Sequence, residues 1–439
     1  MIDARAAAPT PVAIDGLVAF DEPLPDSPTD PGATIELLAT VGGPAAMGST
    51  GPNYYGFVNG ATFPVALGAS FLVDAWDQNA ALPVMSPVSA AVYDVTRRWL
   101  VDLLGLPSPT YVAFVTGATV ANASCIAAAR DDLLARAGWD VQSDGLFGAP
   151  EIDVIVGAQA HSTLRKSLGL VGLGRDRVTI VPADDQGRML ADHLPEPGSL
   201  RGPVLVCAQA GEVNTGAFDP FDEIAEWLTG IDNGWLHVDG AFGLWALADP
   251  TRTPLVAGLT RADSWATDAH KWLNVTYDCG IAFVAREGAL RRTFSAVAGY
   301  LPPESGFEAM HHTPQSSQRA RQVEVWAVLR TLGRSGVADL VQRASACAVV
   351  IAERLRSAGF DVLNEVVLNQ VLIRYRDGAT TEQLVAAIQA DGRIWCGVTT
   401  WRGETALRIS VSSWKTTPGD ARRAADVIAE CVARLQVHP

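Results

Sequence analysis

The sequence predicts an α/β fold, in which a large domain with a mostly parallel sheet is followed by a small C-terminal α+β domain. From about residue 110, short apolar runs rich in β-branched residues alternate with runs of helical pattern. Several predicted strands are apolar throughout, as happens when helices cover both faces of a sheet. The 439 residues are 48% hydrophobic and 18% charged, which suffices for a large core. This composition excludes a mostly disordered chain, a collagen-like repeat and a small disulfide scaffold.

Three parts are expected along the chain. Residues 1–95 form an N-terminal arm and a helical segment, because six prolines fall within residues 1–32 and helical patterns follow. Residues 96–340 form the large α/β domain, and residues 341–439 form the small domain. In the large domain, strands are predicted over residues 111–115, 152–156, 178–181, 204–208, 235–238 and 264–267, and helices over 120–137, 161–173 and 221–228. A long helical stretch runs from 319 to about 358, and the small domain has strands over 370–375, 394–400 and 406–411 with helices over 381–391 and 420–436.

Charge and cysteine content exclude several classes of protein. Thirty-three basic and 48 acidic residues give a net charge of −15, so neither nucleic acid nor an anionic membrane surface is an expected partner. No uncharged apolar run reaches the roughly 18 residues of a membrane helix, and the N-terminus lacks the pattern of a signal peptide. None of the six cysteines forms a CxxC pair. We therefore expect buried thiols, a reducing, cytoplasmic location and no metal site.

Four motifs follow predicted strands, where ligands bind in open α/β sheets. The first is Asp268-Ala269-His270-Lys271-Trp272. A lysine held in such a place and partly desolvated can form a Schiff base with an aldehyde. Most lysines after strands are nevertheless solvated surface residues, so Lys271 alone does not decide the function.

The other three motifs suit a phosphorylated aromatic cofactor. Asp239 ends an apolar strand, where its carboxylate would pair with a protonated ring nitrogen, cap a helix or bind a metal. Residues 116–119 (Thr-Gly-Ala-Thr) leave backbone N–H groups for a phosphate, or form an ordinary turn. His161 would stack on an aromatic ring, or is structural.

Together, in this order, the motifs resemble the group II pyridoxal-phosphate-dependent amino acid decarboxylases. The resemblance covers roughly residues 33–436, and Ala262-Asp263-Ser264 before His270-Lys271-Trp272 is its most specific combination. It implies the aspartate aminotransferase fold (fold type I). The implied reaction is decarboxylation of a small or aromatic L-amino acid to its amine and CO2.

The resemblance also implies residue roles. Lys271 would carry pyridoxal 5'-phosphate as a Schiff base, Asp239 would pair with its ring nitrogen, and His161 would stack over the ring. Ala241 would pack beneath it. The residues expected around the phosphate are Gly117, Ala118, Thr119 and His270.

Substrate residues and a partner subunit follow from the same resemblance. Arg408 matches the position that holds the substrate carboxylate in some members, although a surface strand arginine is equally compatible. Phe57 and Asn59 match residues of the substrate pocket, or serve packing. The N-terminal segment would wrap a second subunit, which implies a homodimer with its active site shared across the interface.

The loop over residues 300–321 departs from the family. Many members supply the proton to Cα from a loop tyrosine, but His312 stands where that tyrosine is expected, and Tyr300 is too early in the loop. Histidine can deliver a proton, so His312 is the candidate donor, with a solvated loop as the alternative reading of His311 and His312. Oxygen-dependent deamination to an aldehyde, aldol cleavage, transamination and a non-catalytic cofactor-binding protein stay open as alternatives.

Glu212 is the second departure. Relatives usually carry threonine or asparagine at this position. A buried unpaired carboxylate is costly, so Glu212 is expected to pair with a basic group of the substrate, with an arginine or with a proton. Our hypothesis is that Glu212 selects a polar or cationic substrate. An outward-facing glutamate is the alternative.

Overall fold

The computed structural model describes residues 9–10, 13–296, 298–299, 301, 303, 306–375 and 380–437. The chain forms two compact units: the larger comprises Thr62–Ala346 and Asn364–Gln370, and the smaller comprises Met1–Ala61, Cys347–Leu363 and Val371–Pro439. The expected boundary after residue 340 lies close to this division, but the one after residue 95 does not.

The difference at the N-terminal boundary has a packing cause. Ala69 and Val73 lie on a helix that was expected to belong to the helical dimerisation segment after the arm. They are buried against Ala320, Val323 and Ala327 of the larger unit. This apolar contact places the helical segment after residue 61 in the larger unit.

A seven-stranded sheet is the centre of the larger unit. Its strands are β1 (Tyr111–Val115), β2 (Asp153–Gly157), β3 (Thr179–Val181), β4 (Val204–Gln209), β5 (Gly234–Asp239), β6 (Ser264–Asp268) and β7 (Gly280–Val284). Their order is β1-β7-β6-β5-β4-β2-β3. Strands β2 to β6 are parallel, and β7 is antiparallel to both β6 and β1. The six predicted strands are confirmed to within two residues at either end, whereas β7 was not predicted.

Helices cover this sheet and complete both units. They are α1 (Pro31–Leu37), α2 (Pro64–Trp76), α3 (Pro87–Leu103), α4 (Ala118–Arg136), α5 (Ser162–Leu170), α6 (Phe221–Leu228), α7 (Ala289–Phe294), α8 (Gln322–Ser357), α9 (Thr381–Asp391) and α10 (Pro418–Val437). Proline occupies the first turn of α2 and α3, where its missing N–H costs no helical hydrogen bond. Small residues on α4, including Ala121, Cys125 and Ala128, are fully buried in the core shared with the sheet, so this helix packs closely on β-strand backbone.

The long helix α8 is interrupted at Gly333, whose φ of 62° is left-handed. Glycine adopts this conformation without the steric cost of a Cβ. Among the helices of the described residues, α8 alone is long and apolar enough to cross a membrane. More than half of its most apolar stretch is buried within the protein, as in the core helix of a globular fold.

The smaller unit carries a second sheet, ordered β10-β11-β9-β8. Its strands are β8 (Asp361–Val362), β9 (Gln370–Arg374), β10 (Gly397–Trp401) and β11 (Glu404–Ser410). Thr380 and Gln383 form a reciprocal capping box at the start of α9, which supplies acceptors for otherwise unpaired N–H groups. The predicted order of strands and helices after residue 370 is confirmed.

Candidate active site

The motifs predicted to bind the cofactor lie along one edge of the large sheet. Asp239 and Asp268 are the last residues of β5 and β6, and Lys271 follows in the next loop. Since β1 runs parallel to these strands, residues 116–119 follow it at the same edge. His161 follows β2 at that edge too. The strand order therefore gathers all four motifs at the carboxyl ends of the parallel strands, as predicted.

Lys271 is held by a carboxylate that the sequence analysis did not single out. Its Nζ lies 2.9 Å from Oδ2 of Asp268. The Oδ1 atom of Asp268 accepts the backbone N–H of Ala118 at 2.6 Å. Asp268 is buried, and it ties the lysine loop to the first turn of α4. Its place three residues before Lys271, at the end of a strand, was the available signal.

Asp239 is a buried acid without an ion-pair partner in the described part of the chain. Its Oδ1 accepts the backbone N–H of Ala241 at 3.2 Å. Burial raises the pKa of Asp239, while His161 and Lys271 act in the opposite direction. A protonated ring nitrogen would give this carboxylate the partner it lacks.

The turn between β1 and α4 has room because its residues are small. Gly117 is extended, and a Cβ at this position would come within 3.6 Å of Asp268 and His270. A Cβ on Gly280, at the start of β7, would overlap the backbone of Gly117. The missing Cβ of Gly280 allows β7 and the turn to approach each other closely.

His270 lies beside this turn and beside Asp268. Its Nδ1 accepts the backbone N–H of Cys279 at 3.1 Å, and its Nε2 lies 3.6 Å from Oδ1 of Asp268. Burial lowers the pKa of His270. Because Nδ1 accepts a hydrogen bond, a neutral ring carries its proton on Nε2, on the side of Asp268.

His161 caps the N-terminus of α5 with its own ring. The Nδ1 atom lies 2.7 Å from Oγ1 of Thr163 and 3.3 Å from its backbone nitrogen. The backbone N–H of His161 donates to Oε1 of Gln209, at the end of β4. The imidazole is thereby fixed by its neighbours, and its stacking over a cofactor stays a prediction.

The described residues fit pyridoxal phosphate at each of its functional groups. Lys271 supplies the amine for the aldehyde, and Asp239, which makes no ion pair among the described residues, supplies the charge for the ring nitrogen. The start of α4 and the Nε2 proton of His270 offer donors for the phosphate. A side chain at Gly117 would fill part of this cradle. These features agree with the roles implied by the resemblance.

The carboxylate of Glu212 accepts hydrogen bonds from residues of its own turn. Its Oε2 accepts the backbone N–H groups of Asn214 at 2.6 Å and Thr215 at 2.7 Å, and its Oε1 accepts the amide of Asn214 at 3.0 Å. Burial raises the pKa of Glu212, and these hydrogen bonds lower it. The outward-facing alternative is wrong because the side chain is buried. A contact with substrate stays a prediction.

His311 and His312 are both buried, so their reading as a solvated loop is wrong. His311 Nε2 lies 3.1 Å from Oε2 of Glu308. The ring of His312 packs at 4.4 Å from that of Phe307, and its Nδ1 lies 3.0 Å from the carbonyl oxygen of Glu308. The role of His312 as a proton donor stays a prediction, and Tyr300 lies outside the described residues.

Three predicted substrate residues, Phe57, Asn59 and Arg408, belong to the smaller unit, whereas Glu212 belongs to the larger one. Phe57 and Arg408 line a surface groove of about 500 Å³, together with Trp395 and Val398. Phe57 packs at 5.2 Å from Trp395 but stays 62% exposed. Asn59 lies two residues further along the same segment and is half-buried. Substrate contacts for these residues stay predictions.

Comparison with known proteins identifies the relatives of this chain. A family model described as the pyridoxal-dependent decarboxylase conserved domain matches residues 34–376. An L-2,4-diaminobutyrate decarboxylase of Rhizobium meliloti (strain 1021) is 30% identical over 445 residues, which cover 96% of this chain and 86% of that protein. The acidic amino acid decarboxylase GADL1 of Bos taurus is 30% identical over 313 residues, 68% of this chain and 59% of that protein.

Solved structures share the fold. A structure of Oryza sativa TDC with PLP and tryptamine has a TM-score of 0.89 and 21% identity, and it covers 99% of this chain and 95% of the rice chain. A glutamate decarboxylase domain from Vibrio parahaemolyticus has a TM-score of 0.86 and 23% identity, covering 99% of this chain and 92% of that one. The predicted fold class is confirmed.

Proposed function

Because this chain belongs to the pyridoxal-dependent decarboxylase family and is thus a pyridoxal-phosphate-dependent carboxy-lyase of amino acids, we propose that it acts on a small or aromatic L-amino acid. The groove that contains Phe57, Trp395 and Arg408 carries this proposal. Exposed aromatic carbon offers an apolar surface for an apolar side chain. Arg408 offers a guanidinium that can bind a carboxylate.

The chain's own residues prepare the bond cleavage. When bound, pyridoxal phosphate supplies a ring that accepts the electron pair of the broken Cα–carboxylate bond. Asp239 would favour a proton on the ring nitrogen, and the turn at Gly117 would hold the phosphate. Lys271 would hold the aldehyde end of the cofactor, with Asp268 beside its amine. His161 would cover the ring, and His312 would deliver a proton to Cα.

Product analysis with a panel of amino acids tests the reaction and its substrate. The cofactor-loaded protein is incubated with pooled amino acids in air and without oxygen, with Lys271→Ala as control, and products are identified by mass spectrometry. We expect the amine of a small or aromatic amino acid in both atmospheres. An aldehyde formed only in air, or a keto acid, would contradict this outcome. The named relatives are decarboxylases, which does not favour those alternatives.

L-2,4-diaminobutyrate is the second candidate substrate. The Rhizobium relative that bears this activity in its name aligns with 96% of this chain. Competition between this diamino acid and an aromatic amino acid at equal concentration separates the two candidates. Arg408→Met is expected to raise KM for either substrate more than it lowers kcat, because the lost contact is to a carboxylate present in both.

We also propose a homodimer. In the smaller unit, Val18, Leu24 and Ile35 are 75%, 91% and 65% exposed. Large apolar side chains clustered on one segment typically mark an interface. We expect light scattering to give twice the chain mass, and a Val18→Asp, Leu24→Asp variant to weaken association. Phe147→Asp, which alters an exposed phenylalanine outside this segment, is the control.

We propose a cytoplasmic location because of the state of the six cysteines. All six are buried as free thiols, and free thiols persist in reducing compartments. Cell fractionation of the tagged protein in its native host tests this proposal, and recovery from an oxidising compartment would contradict it.

A further inference from the structure

One glutamate contacts two adjacent buried histidines in the larger unit. Oε2 of Glu308 lies 3.1 Å from Nε2 of His311. The backbone carbonyl oxygen of the same glutamate lies 3.0 Å from Nδ1 of His312. Glu308, His311 and His312 are at most 8% exposed, so bulk water does not compete for these contacts. A single residue therefore meets a different ring nitrogen in each histidine.

The hydrogen bond of His312 has only one direction. A backbone carbonyl oxygen has no proton, so it can only accept. Nδ1 of His312 must therefore carry a proton and donate it to the Glu308 carbonyl. A neutral imidazole has a single ring proton. Nε2 is consequently the atom at which His312 gains or loses its second proton.

His311 has the opposite arrangement. The backbone N–H of Ala296 donates to its Nδ1 at 3.3 Å, and a ring nitrogen that accepts carries no proton. An imidazole without a proton on either nitrogen would be an anion, so Nε2 of His311 carries the proton whatever the charge of Glu308. This N–H meets the Glu308 carboxylate. Both ring nitrogens of His311 are thus used within its own surroundings.

Aromatic contacts fix the plane of the His312 ring. It packs at 4.4 Å from the ring of Phe307. Phe307 in turn stacks on Tyr93 of α3 at 3.7 Å, with only 9° between the two ring planes. Tyr93 is buried, and its hydroxyl donates to the carbonyl oxygen of Val112 in β1 at 2.8 Å. The histidine is therefore held against the large sheet in both position and tautomer.

We propose that Glu308 fixes the two histidines in opposite tautomers, so that His312 transfers its proton through Nε2 while His311 is a positioning residue. In the transfer, the Nε2–H bond of the charged His312 breaks, and its electron pair stays on the ring. The proton bonds to Cα through the electron pair that the departing CO2 leaves there. His312 is then neutral, with its remaining proton on Nδ1. The inference rests on the proposed role of His312 as proton donor.

Nitrogen NMR of the unmodified holoenzyme tests the two tautomers without any substrate. Protein labelled with ¹⁵N-histidine and loaded with pyridoxal phosphate is recorded at alkaline pH, where imidazoles are neutral. Through-space contacts assign the signals, of His311 to the Ala296 amide and of His312 to the Phe307 ring. We expect the proton of His311 on Nε2 and that of His312 on Nδ1. The same tautomer in both rings, or the reverse pair, overturns the proposal.

Variants of His311 test its effect on His312. The amide of glutamine can donate to Glu308, so His311→Gln keeps this contact, whereas His311→Leu loses it. In His311→Leu we expect both tautomers of His312 and a kcat lowered about tenfold with little change in KM, in line with the loss of one orienting hydrogen bond. His311→Gln should recover most of both properties. Equal losses of kcat in the two variants, with the His312 proton still on Nδ1, would overturn the positioning role and leave His311 to packing.

Met310→Leu is the matched control. Met310 is buried in the same turn, against Ala81 and Leu82. Leucine keeps most of its apolar volume and changes none of the hydrogen bonds of the two histidines, so tautomers and kcat should stay as they are. Full amine production by His312→Gln would overturn the transfer step. The tautomers are decided by NMR alone, so this failure is distinguishable from a failure of the Glu308 contacts.

Discussion

Lys271 Nζ lies 2.9 Å from Oδ2 of Asp268, and the other oxygen of this carboxylate accepts the N–H of Ala118 at 2.6 Å. One side chain therefore connects the lysine predicted to carry the cofactor with the helix start predicted to hold its phosphate. A carboxylate can serve both partners because each oxygen takes one of them.

Replacing Asp268 should separate the effect of its contact with Lys271 from that of its contact with Ala118. Asp268→Asn keeps the size and one acceptor oxygen, so the contact with Ala118 can persist, but the charge that pairs with Lys271 is lost. We expect kcat to fall about tenfold to a hundredfold, in line with the loss of one charged group that orients a reacting amine. Stopped-flow turnover and borohydride trapping of the cofactor measure this. Asp339→Asn, which breaks an exposed pair with Arg343, should change neither.

Replacing Glu212 tests whether its side chain stabilises the turn or selects the substrate. Glu212→Thr removes the acceptor of the Asn214 and Thr215 N–H groups, and each buried donor left unpaired costs about 1–3 kcal/mol. We expect a lower melting temperature with unchanged ratios of kcat/KM among amino acids. A changed preference for cationic over neutral substrates would instead support the predicted substrate contact.

His312 should matter for the fate of the substrate carbanion. Loss of a general acid typically costs about 10²–10⁴-fold in rate, so His312→Gln should lower kcat by that order. His312→Tyr should recover part of the activity, because a phenol can also donate a proton. Amine and aldehyde are quantified for each variant. His193→Gln, at an exposed histidine paired with Asp192, is the control, and full amine production by His312→Gln would exclude the donor role.

Asp219 makes folding stability depend on pH. Burial raises its pKa to about 6, against hydrogen bonds from the N–H groups of Met189 and Gln209. The unfolded value is about 3.9, so between these pH values the folded protein binds the proton more tightly. The unfolding free energy of the wild type should therefore fall relative to Asp219→Asn as pH rises from 4 to 6, by at most about 1.4 kcal/mol per pH unit. Urea titrations at pH 4, 5, 6 and 7 measure this difference, which should level off above pH 6. A difference that stays constant across the series would contradict the shifted pKa.

Sequence patterns predicted the parallel strands well because each is a short apolar run closed by a turn. They missed β7, a five-residue strand that follows an irregular loop and is held by two antiparallel neighbours distant in sequence. Lys271, Asp239 and the Gly117 turn were predictable because strand ends converge. The function of Asp268 was not, because it depends on contacts across 150 residues.

The local contacts of three polar residues also escaped prediction. Glu212 is satisfied by residues two and three positions away, and nothing in the sequence distinguishes such a turn from a substrate contact. His311 and His312 lie in a polar stretch, yet Glu308 and Phe307 bury them. Burial of a polar loop is decided by tertiary packing, which periodicity does not report.

Strand β7 separates the two parts of the predicted cofactor site. It lies between β1 and β6, so the Gly117 turn and the lysine loop are two interstrand distances apart, about 4.8 Å each. The bare backbone of Gly280 against Gly117 keeps that interval at its minimum. The span available to the cofactor is thus set by backbone geometry. Side chains around the site can therefore change to fit new substrates while the distance between the Gly117 turn and the lysine loop stays constant.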